Sequence, residues 1–152
     1  MNARYRDAVA ASLSAEAIFI AMVMVVSWFR GMDPWMVTRV PASLFLGPEA
    51  VRPHGFVPAD VLSGLLAHLW LAILVGLIYA ALLPRLGLSP VVGGFVAAAI
   101  LYLLGFWILP ILFPTWLSPF WLPPTDKLLQ VMAHAVYGWV FGAAYSHLTG
   151  DH

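Results

Sequence analysis

Four long apolar stretches constrain the fold of this 152-residue chain more than any other feature. They lie at about residues 8–29, 60–84, 90–113 and 126–149. Each is long enough to cross a hydrocarbon core, which takes about 20 helical residues. Lipid leaves open backbone groups unpaired, so a spanning segment must be a helix or part of a closed barrel, and the alternating pattern of barrel strands is missing. The stretches predict an all-α integral membrane protein with four transmembrane helices.

The composition supports the same fold class and excludes several others. Of the residues, 62% are hydrophobic and 9% are charged, with seven Lys or Arg against seven Asp or Glu. A soluble domain carries about a quarter charged residues, and a chain this small has too little interior to bury so much apolar surface. The balanced charge argues against a nucleic-acid partner. Because the chain has no cysteine, disulfides, thiolate metal sites and palmitoylation are excluded.

The first apolar stretch follows Arg4 and Arg6, as the core of a signal peptide would. It is too long for one, and no small-x-small cleavage site follows it, so we expect an uncleaved anchor. Lys and Arg divide almost evenly between the two sides, but the Arg-bearing N-terminal tail and the tight turn at residues 84–90 favour cytoplasmic termini. We expect a multi-pass protein of the bacterial inner membrane with both termini in the cytoplasm.

A shift of 66 residues aligns two parts of the chain without a gap. Both copies read Pro-x4-Pro-x4-Pro-x-Asp-x7-His-x7-Gly-x2-Tyr, and the second begins at Pro114. The pattern predicts two tandem-duplicated hairpins in a single transmembrane domain, residues 1–152. Repeat 1 covers about 8–83 with an inserted interfacial segment at 30–47, and repeat 2 covers about 90–149. Because each repeat has two spans, the copies share one topology, related by a pseudo-twofold axis along the membrane normal.

Three aspartates occupy positions typical of helix N-caps. Asp33 precedes a proline and opens a short interfacial helix predicted at 34–46, which Gly47 would end and Pro41 would interrupt. Asp60 and Asp126 each follow a Pro-x pair at the beginning of an apolar run, where a carboxylate accepts a backbone N–H and opposes the positive helix end.

Two histidines, His68 and His134, fall at matching depth in the second and fourth predicted helices. The plainest interpretation is structural hydrogen bonding, and the alternatives are tetrapyrrole ligation and metal binding or proton transfer. A haem slot needs small residues beside each histidine; Gly64 and Ala72 provide them for His68, but Gln130 is bulky beside His134. We expect no metal and no cofactor, with haem or chlorophyll held by the two histidines as the alternative.

Glu16 is a carboxyl group inside the first span, which makes it a functional candidate by default. Hydrogen bonding inside the bundle, a proton or ion pathway, and a contact between subunits all remain open. Tyr79, Tyr145 and His147 are its candidate partners, because they lie toward the same side of the membrane. The two tyrosines also suit the lipid–water boundary.

The connections at 34–58 and 110–124 contain ten of the twelve prolines together with several Trp and Phe residues. Such apolar connections form an aromatic belt in the headgroup region or dock onto another protein. No nucleophile–base pair, phosphate loop or paired catalytic carboxylates are present in the sequence, so we expect no enzyme. We expect a non-enzymatic accessory subunit of a larger respiratory or photosynthetic electron-transfer complex, in contact with other membrane subunits or further copies of itself. The alternatives are a haem- or pigment-binding protein and a small oligomeric transporter or channel around Glu16.

Several short motifs resemble those of a loose group of four-span bacterial inner-membrane proteins of unknown function, of which the YagU-like proteins are one branch. The motifs are Asp33-Pro34-Trp35, Leu46-Gly47, Ala67-His68, Gly76-x2-Tyr79 and Ala133-His134. The third span departs from the YagU-like pattern because it carries Tyr102 and Trp107 but no histidine, which argues against a shared metal site. The resemblance implies four helices and no particular activity.

Overall fold

The computed structural model describes residues 2–52, 55–113 and 124–150, with the backbone alone for 124–126. The described residues form helices and turns and contain no strand. The main helices are α1 (Ala3–Phe29), α2 (Met36–Leu46), α3 (Pro58–Leu86), α4 (Pro90–Leu112) and α5 (Pro124–Thr149), and a 3-10 turn covers Pro48–Val51. The predicted all-α membrane protein is therefore confirmed at the level of its helical, apolar character.

Three of these helices, α1, α3 and α4, are long and apolar enough to cross a membrane. The last helix, α5, is 26 residues long but is not among them. Its sequence includes Gln130, His134, Tyr137 and His147, which lower its apolar character. The structure thus supports three candidate spans among the described residues.

The helix α1 lies between two others and organises the packing. It contacts α3 on one side and α5 on the other, while α2 packs on α3 and α4 packs on α5. Two glycines allow the closest approaches. A Cβ at Gly76 would lie 2.8 Å from the Cα of Val9 in α1, and one at Gly142 would lie 2.5 Å from the carbonyl oxygen of Pro90 in α4. Small residues let membrane helices approach in this way.

The described surface carries many large apolar side chains, as expected of a protein surrounded by lipid. Trp70, Trp139 and Leu62 are exposed on α3 and α5. By contrast, Glu16, Arg39 and several hydroxyl groups are buried. Water would favour the reverse distribution, so the described surface is built for a hydrocarbon environment.

The short helix predicted at 34–46 exists, but it begins at Met36. Its polar residues Thr38, Arg39 and Ser43 are buried, while Phe45 and Leu46 are exposed. The polar face of α2 therefore packs into the protein, against α3. The predicted end at Gly47 is confirmed, because the residue has a φ of +80°, which favours glycine.

The predicted caps need correction. The helix α3 begins at Pro58 with Val57 as its N-cap and without a side-chain cap bond, so Asp60 is its third residue and not its cap. A proline suits the first helical position, which explains the earlier start. Asp126 is likewise the third residue of α5, and its side chain lies outside the described residues. Asp33 is not the cap of α2 either, because the N-cap is Trp35; Asp33 Oδ1 instead accepts a hydrogen bond from the N–H of Trp35 at 3.0 Å, in the turn that precedes α2.

Candidate functional site

The centre of the described bundle contains a carboxyl–imidazole pair. Glu16 lies in the middle of α1, with thirteen helical residues on either side, and His68 is the eleventh residue of α3. The Oε1 atom of Glu16 and the Nδ1 atom of His68 are 2.6 Å apart, and both side chains are about nine-tenths buried. A contact this short between a buried carboxyl and a buried imidazole is a strong hydrogen bond with a proton between the two atoms.

The second nitrogen of this imidazole reaches a different helix. Nε2 of His68 donates to the backbone carbonyl of Val37, in the first turn of α2, at 3.0 Å. In an α-helix that carbonyl would accept the N–H of the residue four positions later, which is Pro41 and has no N–H. Pro41 therefore does not break α2; it leaves one carbonyl open, and His68 occupies it. One imidazole links α1, α2 and α3.

A close backbone contact brings α2 near enough for this bond. A Cβ built at Gly64 would lie 1.8 Å from the carbonyl oxygen of Thr38, which no side chain could tolerate. Gly64 and His68 are one turn apart on α3 and so lie on the same face. The first turn of α2 thus lies beside α3 at about 9–15 Å from the beginning of that helix.

A buried ion pair anchors the same end of α2. Oδ2 of Asp33 accepts a hydrogen bond from the guanidinium of Arg39 and a second one, at 2.9 Å, from the backbone N–H of Gly55. The Arg39 side chain is fully buried. A buried ion pair persists only when both charges are matched and hydrogen-bonded. This role of Arg39 could not be predicted from the sequence, because only the tertiary contacts bring residues 33, 39 and 55 together.

The other candidate histidine has a different environment. Nδ1 of His134 donates to the carbonyl of Gln130, one turn earlier in α5, at 2.8 Å. Its ring meets those of Phe19, Tyr102 and Phe106 edge-on, with centroids 4.9, 5.6 and 5.8 Å away. Among the described residues, Nε2 of His134 makes no hydrogen bond. His134 is therefore held by its own helix and by aromatic rings from α1 and α4.

The two histidines lie at similar depth but are held differently. Their contacts on α1, Glu16 for His68 and Phe19 for His134, are three residues apart, or about 4.5 Å along the helix axis. Both nitrogens of His68 are engaged, so ligation of a haem iron by this residue would require one of its two bonds to break. Among the described residues, no three His, Asp or Glu side chains are grouped so that they could hold a metal ion.

The predicted partners of Glu16 are wrong. The Tyr79 hydroxyl donates to the carbonyl of Pro90 at 2.6 Å, and the Tyr79 ring packs edge-on against that of Tyr145 at 5.2 Å. His147 lies exposed near the end of α5. Because α1 begins at Ala3, Glu16 lies deeper than an apolar stretch beginning at residue 8 suggests.

Both tyrosines lie near the ends of their helices and are buried inside the bundle, so their rings do not face lipid. A further polar contact was not predicted from the sequence. The hydroxyls of Ser12 and Tyr137 lie 3.0 Å apart and join α1 to α5, one turn before Glu16. The signal for it was the serine four residues before Glu16, on the same helix face.

No protein-family model, curated protein or solved structure matches this chain. The resemblance to YagU-like proteins therefore stays a prediction.

Proposed function

We propose that this protein is a non-enzymatic integral membrane protein that serves as a small accessory subunit of a larger assembly in the bacterial inner membrane. We expect the larger assembly to be a membrane complex of respiratory or photosynthetic electron transfer. The observation that carries this proposal is an aromatic surface at the end of α1.

That surface combines exposed rings with a groove. Trp28 and Phe29 are 72% and 84% exposed, and the rings of Trp35 and Phe56 meet beside them at 4.9 Å. A cavity of about 270 Å³ opens there, lined by Met24, Val25, Trp28, Phe29, Pro34 and Trp35. Large aromatic side chains are the residues that most often dominate protein–protein binding energy. Their concentration at one end favours a specific contact over general exposure to lipid.

The polar interior supports a structural role over a chemical one. Glu16, His68, Ser12 and Tyr137 bond to one another or to backbone, and Arg39 bonds to Asp33. Groups that serve substrates or ions usually face a cleft or a water-filled path. Glu16 faces the inside of its own bundle, which removes the main support for a pore formed around it by several copies.

Within this proposal the chain spans the membrane four times as two duplicated hairpins, with cytoplasmic termini. Two observations support the duplication. The helices α3 and α5 both begin at a proline, and the prolines are 66 residues apart. In both helices the glycine of the repeat, Gly76 or Gly142, packs on the backbone of the preceding long helix of its own hairpin. Cysteine accessibility at residues 2 and 150 in intact cells tests the orientation.

Purification in mild detergent from the native membrane, followed by mass spectrometry, tests the accessory-subunit proposal. We expect partner subunits to co-migrate with the parent protein and to be lost when Trp28 and Phe29 are both changed to Ala. Trp139→Ala is the matched control, because Trp139 is an exposed ring on a different helix. A parent protein that purifies alone, or equal loss with the control, would overturn the proposal.

One observation favours haem or pigment binding as a second candidate function. With Nδ1 bonded to a backbone carbonyl, His134 presents an Nε2 lone pair, the tautomer that metal ligation requires. The ligand would then depend on His134 and not on the His68–His134 pair. An absorption spectrum of protein freshly purified from its native membrane tests this: a Soret or chlorin band that His134→Phe removes and His68→Phe retains would support it, and a featureless visible spectrum would reject it.

A further inference from the structure

We propose that Glu16 and His68 form a buried binding site for a single proton, and that this proton holds α2 against the bundle. The site lies at the centre of α1, away from the aromatic surface that carries the proposed function. The site binds a proton, and the presence of this proton determines the position of α2.

The hydrogen bonds determine how many protons the site holds. The carbonyl of Val37 can only accept, so Nε2 of His68 carries a hydrogen. A bare carboxylate oxygen and a bare imidazole nitrogen would repel each other at 2.6 Å, so a second proton lies between Oε1 of Glu16 and Nδ1 of His68. Whether that proton resides on oxygen or on nitrogen, the pair has zero net charge. A neutral pair is the form that low-dielectric surroundings favour.

Removal of the shared proton has a defined consequence. One proton then remains on the imidazole, and two acceptors compete for it: the Glu16 carboxylate and the Val37 carbonyl. A hydrogen bond to a charged acceptor is about twice as strong as one to a neutral acceptor. The proton therefore moves to Nδ1, Nε2 becomes a bare acceptor facing the Val37 carbonyl, and the bond to α2 is lost. A proton gained instead leaves both bonds in place, so release is expected on the alkaline side alone.

No other described charge takes over the hydrogen bonds of the pair. On α1, Ser12 faces the Tyr137 hydroxyl of α5. On α2, the guanidinium of Arg39 donates to Asp33. From α5, His134 lies near the pair but bonds its own helix, and from α4 Tyr102 meets the His134 ring. The response of α2 to a proton is therefore expected to follow Glu16 and His68.

The structure of α2 makes its attachment sensitive to this one bond. Its fully buried residues are Thr38, Arg39, Ala42 and Ser43, none of them a large apolar residue, and the partly buried Val37 packs against the core. The Thr38 hydroxyl donates to the carbonyl of Trp35, the residue before α2, and the Ser43 hydroxyl donates to the carbonyl of Val40 within α2. The side-chain bond from His68 is thus the direct polar link that the described residues make between α3 and the backbone of α2.

The absence of native cysteine allows a clean test by spin labelling. We would introduce the label pair Phe45→Cys on α2 and Leu82→Cys near the far end of α3, both at exposed positions. Pulsed electron paramagnetic resonance in lipid nanodiscs then gives the distance distribution. We expect one narrow peak at neutral pH and a reversible loss of that peak at alkaline pH.

Three variants separate the proton from the packing. In Glu16→Gln the amide donates to Nδ1 and leaves Nε2–H on Val37, so the peak is expected to stay narrow at both pH values. In His68→Phe it is expected to be broad at both. His134→Phe, the matched control at the equivalent position of α5, is expected to behave as the parent.

Two outcomes would overturn the proposal. One is an alkaline response in Glu16→Gln equal to that of the parent, and the other is a narrow peak in His68→Phe. A second label pair, Val96→Cys on α4 with Leu148→Cys on α5, reports whether the bundle itself stays folded. If His68→Phe does not fold, the comparison of Glu16→Gln with the parent decides the matter alone.

Discussion

His68 and His134 occupy the same position in two helices that begin 66 residues apart, yet their side chains make different contacts. His68 joins three helices through both ring nitrogens, whereas His134 bonds its own helix and packs among aromatic rings. The local sequences around them are alike, since both follow an alanine and precede a glycine eight residues later. The comparison teaches that a repeated motif sets where a side chain lies, while its neighbours decide what it bonds.

The difference between the two sites comes from α2 and from a single residue on α3. Gly64 lets the backbone of α2 touch α3, and the equivalent position on α5 is Gln130. A glutamine side chain would exclude such an approach. The segment of the second repeat equivalent to residues 48–57, at 114–123, lies outside the described residues. Within the described residues, His68 has a second helix to bond and His134 does not.

The largest expected effect is on stability after loss of each imidazole. His68→Phe leaves the Glu16 carboxyl and the Val37 carbonyl buried without their partner, and removal of one member of a buried pair costs about 3–5 kcal/mol. His134→Phe removes one bond to its own helix and keeps the ring packing, so we expect a cost of about 1 kcal/mol. Unfolding in detergent, followed by tryptophan fluorescence, measures both. Equal costs would mean that the two sites do not differ as the contacts indicate.

A smaller effect is expected where the two hairpins should be alike. Gly76→Ala and Gly142→Ala each push a methyl group into the backbone of a neighbouring helix, and overpacking of this kind costs about 1–3 kcal/mol. Gly105→Ala is the control, because a Cβ there meets nothing within 4 Å and alanine favours helix by about 0.5–1 kcal/mol. The same unfolding measurement applies. A loss of stability in one of these two glycine variants and none in the other would argue against the duplication.

The smallest effects concern two buried hydroxyls. Tyr137→Phe removes the bond to Ser12, and Tyr79→Phe removes the bond to the Pro90 carbonyl. We expect each change to cost about 1 kcal/mol, the usual net value of one hydrogen bond. Tyr102→Phe is the reference, because its hydroxyl makes no hydrogen bond among the described residues. If all three variants lose the same stability, the hydroxyl bonds contribute nothing specific.

Much of the helical framework could be predicted from the sequence. Long apolar runs require helices in lipid, so the positions of α1, α3, α4 and α5 follow closely from hydropathy, and Gly47 correctly predicts the end of α2. The boundaries were less accurate. A polar flank such as residues 3–7 can continue a helix into the interface, and a proline can begin one, as at Pro58.

The partners in the polar centre could not be predicted in the same way. The depth of Glu16 follows from where its helix begins. The apolar run begins at about residue 8 but α1 begins at Ala3, and this difference of five residues put Glu16 beside the wrong groups. Pro41 predicted an interruption of α2, because a proline in an isolated helix leaves a carbonyl without its hydrogen bond. In the folded chain, the carbonyl that Pro41 leaves open is the one that His68 needs.

The sequence by itself determined that this chain is helical and apolar, because its long apolar runs lack the alternation of barrel strands, and a helix pairs its own backbone hydrogen bonds in lipid. It also determined that Glu16, His68 and His134 lie within apolar runs. Only the tertiary structure decided which of these groups meet, because a hydrogen bond such as that between Glu16 and His68 depends on ångström-scale distances between residues that are 52 positions apart in the chain. Those distances are determined by backbone contacts such as that of Gly64 on Thr38, which no single helix contains.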